Sequence, residues 1–172
     1  YIHIKYMPKK KYNVILDLDN TLICAQHSKS KREPDFEIKV GNEHYYVYKR
    51  PGLDRFLNEI FDCSKSVSIW TAATKDYCNQ IIKNIFTRDE RKKLKVVWSR
   101  GKTENKNGFF YVKDVSKMCA SQPTFLRRNT VLIDDNPDHA VVSPDNLLRI
   151  RPWNSPSQRK DTELRKVLKV LT

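Results

Sequence analysis

Cysteine is scarce here and badly spaced for metal chemistry. Cys24, Cys63, Cys78 and Cys119 are scattered through 172 residues with no C-x-x-C pair among them. Zinc-ligand spacing is therefore missing, and a disulfide scaffold does not suit a chain of this length. Reduced, mostly buried thiols in an intracellular protein are the expectation. No stretch approaches the roughly 18 continuous apolar residues of a membrane span, and no signal-peptide pattern is found at the start. The first residue is Tyr rather than Met, so the lack of a targeting segment decides nothing. Internal repeats and low-complexity tracts are absent too. Acidic residues are in short supply: 20 Asp and Glu stand against 33 Lys and Arg, for a net charge of +13.

What is present is enough apolar material for one core. Hydrophobic residues make up 39% of the chain, with 3 Trp, 8 Tyr and 7 Phe. The length suits a single domain over residues 1–172, on a scale of roughly 100–200 residues per domain. The positive charge is spread out. Lys9, Lys10 and Lys11 precede the first apolar run, Lys29, Lys31 and Arg32 follow it, and a dense cluster runs from Arg88 to Lys106. Such a field favours polyanions: phosphopeptides, nucleic acid or acidic surfaces. A solvated lysine-rich surface accounts for the same count equally well. The Lys9–Lys11 run is too short to stand as a nuclear signal.

Periodicity gives alternating strands and helices. Val14–Leu16 reads as a buried strand, and residues 25–35 as a polar loop. Two alternating runs follow, Phe36–Val40 and His44–Tyr48, joined at Gly41-Asn42, which is a hairpin signal. Pro51-Gly52 starts a helix with Leu53, Phe56, Leu57, Ile60 and Phe61 at helical spacing. Val67–Trp70 is a second core strand, and a helix from about Lys75 carries Tyr77, Ile81, Ile82 and Ile85 on one face. Val96–Trp98, Val131–Ile133 and Leu147–Ile150 complete the strands. Leu164, Val167, Leu168 and Leu171 mark an amphipathic closing helix. This alternation argues for an α/β fold with a parallel sheet flanked by helices, plus a small antiparallel β insertion at about 28–49. A second insertion spans about 98–112.

Chemistry concentrates at Asp17-Leu18-Asp19-Asn20-Thr21. The apolar run ends there, and Asn20 signals a turn, so two carboxylates stand at the mouth of a sheet, where open α/β folds keep their ligands. Crowded like charges imply a cation, a shared proton or catalysis. This string resembles the DxDxT signature of haloacid-dehalogenase-superfamily phosphatases. More narrowly, it is similar to the phosphatases of the RNA polymerase II C-terminal tail and their small, NLI-interacting-factor-like relatives. Three later segments match in the family's order: Trp70-Thr71-Ala72-Ala73, Tyr111-Val112-Lys113-Asp114 and Ile133-Asp134-Asp135-Asn136-Pro137. Arg50-Pro51-Gly52-Leu53 and Ser143-Pro144-Asp145-Asn146 add non-catalytic matches.

The resemblance implies a haloacid-dehalogenase-like (Rossmannoid) fold and assigns roles. Asp17 would be the nucleophile that forms an aspartyl-phosphate. Asp19 would be the acid and later the base, with its carbonyl on Mg²⁺. Thr21 would orient Asp19 or the phosphate-binding turn. Thr71 and Ala72 would bind phosphate, and Lys113 would be the phosphate-contacting cation. Asp134 and Asp135 would complete the metal site with Asp135 as direct ligand, unless a register one residue later brings in Asn136. Carboxylate attack on a phosphate dianion makes such cations necessary. At an effective dielectric near 20, each unit pair about 4 Å apart costs about 4 kcal/mol, hence about 8 against a dianion. A metal ion and a lysine or oriented N–H dipoles offset this, and all-oxygen ligands suit Mg²⁺ rather than zinc.

No catalytic position is substituted, which argues against a dead scaffold. Tyr77 falls on a substrate-rim position and Arg100 aligns loosely with a rim arginine, but His27 stands where an aromatic residue is expected. The resulting expectation is a Mg²⁺-dependent protein serine/threonine phosphatase. Its partner would be a phosphorylated protein or peptide such as the polymerase tail, with no membrane involved, and nuclear residence would follow from the family alone. Two alternatives stay open: a polynucleotide-end phosphatase of the same superfamily, and a non-enzymatic basic module that binds RNA or a partner.

Overall fold

The computed structural model describes residues 12–108 and 110–172; the Lys9–Lys11 run lies outside them. The first described element is strand β1 (Asn13–Leu16), buried at every residue. A tight turn leads to β2 (Ile23–Gln26), and a polar stretch to β3 (Phe36–Val40) and β4 (Glu43–Lys49). Helix α1 (Leu53–Cys63), β5 (Ser66–Trp70), α2 (Lys75–Ile85), the short α3 (Arg88–Lys93) and β6 (Leu94–Trp98) follow. A hairpin of β7 (Glu104–Lys106) and β8 (Phe110–Val112) precedes α4 (Val115–Ser121). Then come β9 (Thr130–Asp134), β10 (Leu147–Arg149) and the closing α5 (Glu163–Leu171).

Five strands form one parallel sheet in the order β10-β9-β1-β5-β6. A parallel sheet is covered on both faces, so its central strand reads as an unbroken apolar run. Val14 and Leu16 pack into the layer that holds the apolar stripes of α1, α2 and α5. Ile15 points the other way, toward Val115 and Met118 of α4. The α/β architecture expected from sequence, a parallel sheet flanked by helices, is what forms. From β1 the chain steps to β5 and β6 on one side and to β9 and β10 on the other. The order therefore reverses at β1, and a crevice opens beyond the carboxyl ends of β1, β5 and β9.

A second sheet is antiparallel, β2-β4-β3. Its β3–β4 turn has Gly41 at φ 60°, as a two-residue hairpin turn of type II′ requires. β2 was not foreseen: four residues directly after the Asp17–Thr21 turn are too short to show a period, yet they make β4 a central strand. α3 was also missed. It buries no residue and has no apolar stripe, and is held instead by a capping box between Thr87 and Glu90.

Thr87→Ala is expected to cost about 1 kcal/mol by removing that cap, whereas Ile69→Ala, at a fully buried sheet position, costs about 2–5 kcal/mol. Urea denaturation of both variants measures the contrast.

Candidate active site

Asp17 follows directly on β1 and its backbone N–H donates to the Ile133 carbonyl at 3.0 Å, so it leaves the sheet beside the end of β9. The turn after it is tight: Asn20 N–H donates to Ile23 O at 2.7 Å and Leu22 N–H to Leu18 O at 2.8 Å. Asn20 sits at φ 58°, a left-handed conformation that asparagine tolerates better than most residues. Leu18 is buried in the core and anchors the turn between the two acids. Asp134 closes β9, and Lys113 follows β8 with its N–H on the His139 carbonyl at 2.7 Å.

These elements converge on one ammonium group. Lys113 Nζ donates to Asp17 Oδ1 at 2.5 Å and to Asp134 Oδ2 at 2.6 Å, with the lysine and Asp134 side chains wholly buried. Burial alone would strip the proton from Lys113, but its two carboxylates outweigh this and hold its pKa above the ordinary lysine value. One cation cannot fully satisfy two buried anions. Asp134 receives further donors, the Asn136 N–H at 2.9 Å and His139 Nδ1 at 2.9 Å, and burial is overcome so that its pKa lies below the usual carboxylate value. Asp17 is left short: burial first, then repulsion from Asp134, pushes its carboxyl well above that value. Burial also raises Asp19, against the pull of a hydrogen bond from Tyr77, and raises Asp135, with Asp134 adding repulsion.

The other motif residues surround this cluster. Thr21 Oγ1 bonds the Asp135 N–H and carboxylate, both at 3.2 Å, and so ties the first motif to the fourth. The side chain of Asn136 accepts from the Asp138 N–H at 3.0 Å and caps the turn Pro137–Ala140. Thr71 leaves β5 two residues after Ile69, which pairs with Leu16, and its hydroxyl accepts from the Ala73 N–H at 3.1 Å. No described hydrogen bond joins Thr71 or Ala72 to Asp17. Instead Arg100 braces their turn, with Nε on Ala72 O at 2.7 Å and its N–H on Ala73 O at 2.8 Å.

A cavity of about 340 Å³ opens over Asp19, walled by Val40, Tyr45, Tyr77 and Arg100. Tyr45 stands edge-on to Tyr77 at 5.3 Å and against His27 at 4.4 Å. The aromatic wall that His27 lacks is thus built by Tyr45, from the middle of β4. Arg100 lies 4.9 Å over the Tyr111 ring. His139, which contacts both oxygens of Asp134, was missed from sequence; only its place five residues after Asp134 could have hinted at it. All four cysteines are free, and burial lifts the thiols of Cys24 and Cys78 to about 11 and about 12, so neither competes as a nucleophile.

A divalent cation suits this donor set. Asp17 and Asp134 bring carboxylate oxygens together beside His139, which donates to Asp134, and Asp135 is joined to the same turn through Thr21. Two carboxylates share the one buried lysine and two more, Asp19 and Asp135, stand at the same turn, an arrangement a hard cation would neutralise. Comparison with known proteins gives the family. A family profile for NLI interacting factor-like phosphatases matches residues 12–172. A CTD phosphatase-like protein of Invertebrate iridescent virus 3 is 32% identical, over 94% of this chain and 96% of its own length. The chain belongs to the NLI interacting factor-like phosphatase family. It is a phosphoric monoester hydrolase of the protein-phosphatase kind. The human carboxy-terminal domain RNA polymerase II polypeptide A small phosphatase 1 is 31% identical over 95% of this chain, which spans 59% of that protein. A solved structure of Fcp1, an RNA polymerase II CTD phosphatase, superposes with a TM-score of 0.72 at 21% identity, over 94% of this chain and 61% of that one, and shares its fold.

The raised carboxyls of Asp17, Asp19 and Asp135 mean that the folded state binds protons more tightly than the unfolded chain. Without a divalent cation, their contribution to stability therefore falls as pH rises from the ordinary carboxylate range through their raised values. In EDTA, Asp17→Asn is expected to melt above the parent at neutral pH, with the gap shrinking as the pH falls toward about 4. Added Mg²⁺ should close the gap by raising the parent. Thermal denaturation across pH checks this, and a gap that widens toward acid would contradict it.

Proposed function

We propose that this chain, working as one domain, removes phosphate from phosphoserine or phosphothreonine in a protein, with Mg²⁺ as cofactor and Asp17 as nucleophile. The observation that carries the reading is the buried Lys113 ammonium held between Asp17 and Asp134 at the carboxyl ends of β1 and β9. It fixes one oxygen of Asp17 and leaves the carboxylate beside a cation that a phosphate can share. In the first step Asp17 attacks phosphorus and the serine oxygen leaves with a proton from Asp19. In the second, Asp19 takes a proton from water as that water attacks the aspartyl-phosphate. Lys113 balances charge on the transferring group, and the Thr71 hydroxyl and Ala72 N–H would bind its remaining oxygens. Asp134 and His139 hold Lys113 in place rather than react. Asp17, the Asp19 carbonyl and Asp135 would hold the metal, with Asp134 behind them, and Asn136 is left to its capping role. Mg²⁺ supplies charge neutralisation for an anionic nucleophile and an anionic substrate.

The substrate is read from the cavity beside Asp19. Tyr45, Val40 and Tyr77 make an apolar wall next to the acid, and Arg100 adds a cation at the lip. That suits an extended peptide with an apolar residue beside its phosphoserine, as in the RNA polymerase II C-terminal tail, and such a substrate would imply nuclear residence. The basic cluster from Arg88 to Lys106 would equally draw a polynucleotide end, and the assay separates the two. Mg²⁺-dependent release of phosphate is expected from tail phosphopeptides in preference to 3′-phosphorylated oligonucleotides. Asp17→Asn is expected to lower turnover of a generic aryl phosphate by about 10³-fold or more. Faster release from the oligonucleotides would reassign the substrate, and full activity in Asp17→Asn would remove the assigned nucleophile.

A further inference from the structure

Arg50 lies outside the catalytic cluster and its side chain is wholly buried. Each of its five N–H donors is used. Nε and Nη2 form a fork on Asp161 at 2.8 and 2.9 Å, Nη2 also reaches the Arg151 carbonyl at 2.7 Å, and Nη1 donates to the carbonyls of Asn20 at 3.2 Å and Thr21 at 3.0 Å. A guanidinium presents donors in a rigid planar fork, so these contacts fix the relative placement of two segments that lie more than 100 residues apart in the chain.

What Arg50 grips is the most constrained part of the Asp17–Thr21 turn. Asn20 is left-handed, its N–H is tied to Ile23 O at 2.7 Å, and its carbonyl also receives the Trp153 N–H at 2.8 Å. The peptide units on both sides of Asn20 are thereby held, and one of them carries the Asp19 carbonyl. The next residue, Thr21, passes the constraint to Asp135 through its hydroxyl. A non-glycine residue at positive φ persists only where its surroundings over-determine it, and here the surroundings are Arg50 and the segment 151–161.

We propose that Arg50 is a positioning residue for the cation-binding turn, and that residues 151–161 act through it as a strap setting how the Asp19 carbonyl and Asp135 meet the metal. This rests on the phosphatase reading above, since it takes those two groups as ligands. Lysine cannot replace Arg50, because three donors on one nitrogen cannot span Asp161, Arg151 and two loop carbonyls.

The test uses the full chain and measures Mg²⁺ dissociation by calorimetry without substrate, beside thermal denaturation, for Arg50→Lys and Asp161→Asn. Both variants are expected to bind Mg²⁺ about 10-fold or more weakly, and their phosphatase activity to need correspondingly more Mg²⁺. A purely structural ion pair would lower the melting temperature and leave Mg²⁺ dissociation from the folded protein unchanged, which would overturn the proposal. Failure of both variants to fold would overturn it in the same way. A parent chain that neither binds Mg²⁺ nor releases phosphate overturns the phosphatase reading together with this one; a competent parent beside variants with unchanged Mg²⁺ dissociation overturns this one alone.

Discussion

A single buried ammonium shared between two carboxylates organises this protein. Lys113 sits between Asp17 and Asp134 with no solvent to dilute its charge. Asp134 alone can neutralise the ammonium, while Asp17 shares it without being fully compensated, so the lysine, both aspartates and the strands that deliver them form one constraint. β1 must end where it does to present Asp17, β9 must run alongside in register to present Asp134, and the chain after β8 must return to the same edge to supply the lysine. The unequal treatment of the two acids is the useful outcome. Asp134 has three kinds of donor and keeps its charge. Asp17, with one, is the carboxylate whose charge awaits a further cation.

Around that constraint the fold divides its labour. The parallel sheet brings the motif ends together, and the β2-β4-β3 sheet raises Tyr45 over the crevice beside Tyr77. The α1, α2 and α5 layer supplies most of the buried apolar contact. The segment after β10 returns to the crevice through Trp153 and Asp161, so chain far from the four motifs bears on the Asp17–Thr21 turn.

Legibility in the sequence followed the range of the interactions. Val14–Leu16 could be read because a strand buried on both faces must be apolar throughout, and the β3–β4 hairpin because Gly41-Asn42 marks its turn locally. The α1, α2 and α5 stripes could be read because burial on one face imposes the helical period. α3 escaped because its residues, RDERKK, bury no side chain, although the Thr87–Glu90 cap was spelled out beside them. Lys113 was recognisable only by its order among the motifs, since one lysine among so many carries no signal of its own. His139 and the Arg50–Asp161 pair had no local signature, because their partners are chosen by folding rather than by spacing. For the same reason sequence did not show that Thr21 would reach Asp135, or that Asn136 would accept from the Asp138 N–H.

The central claim is that Asp17 carries the phosphoryl group during turnover. Quenching the enzyme during steady-state hydrolysis of an aryl phosphate, reducing with borohydride and sequencing the peptides by mass spectrometry tests it most directly. Reduction of an aspartyl-phosphate yields homoserine, which is expected at position 17 and at no other carboxylate. Homoserine at a different acid, or its absence from an enzyme that is turning over, would contradict the account.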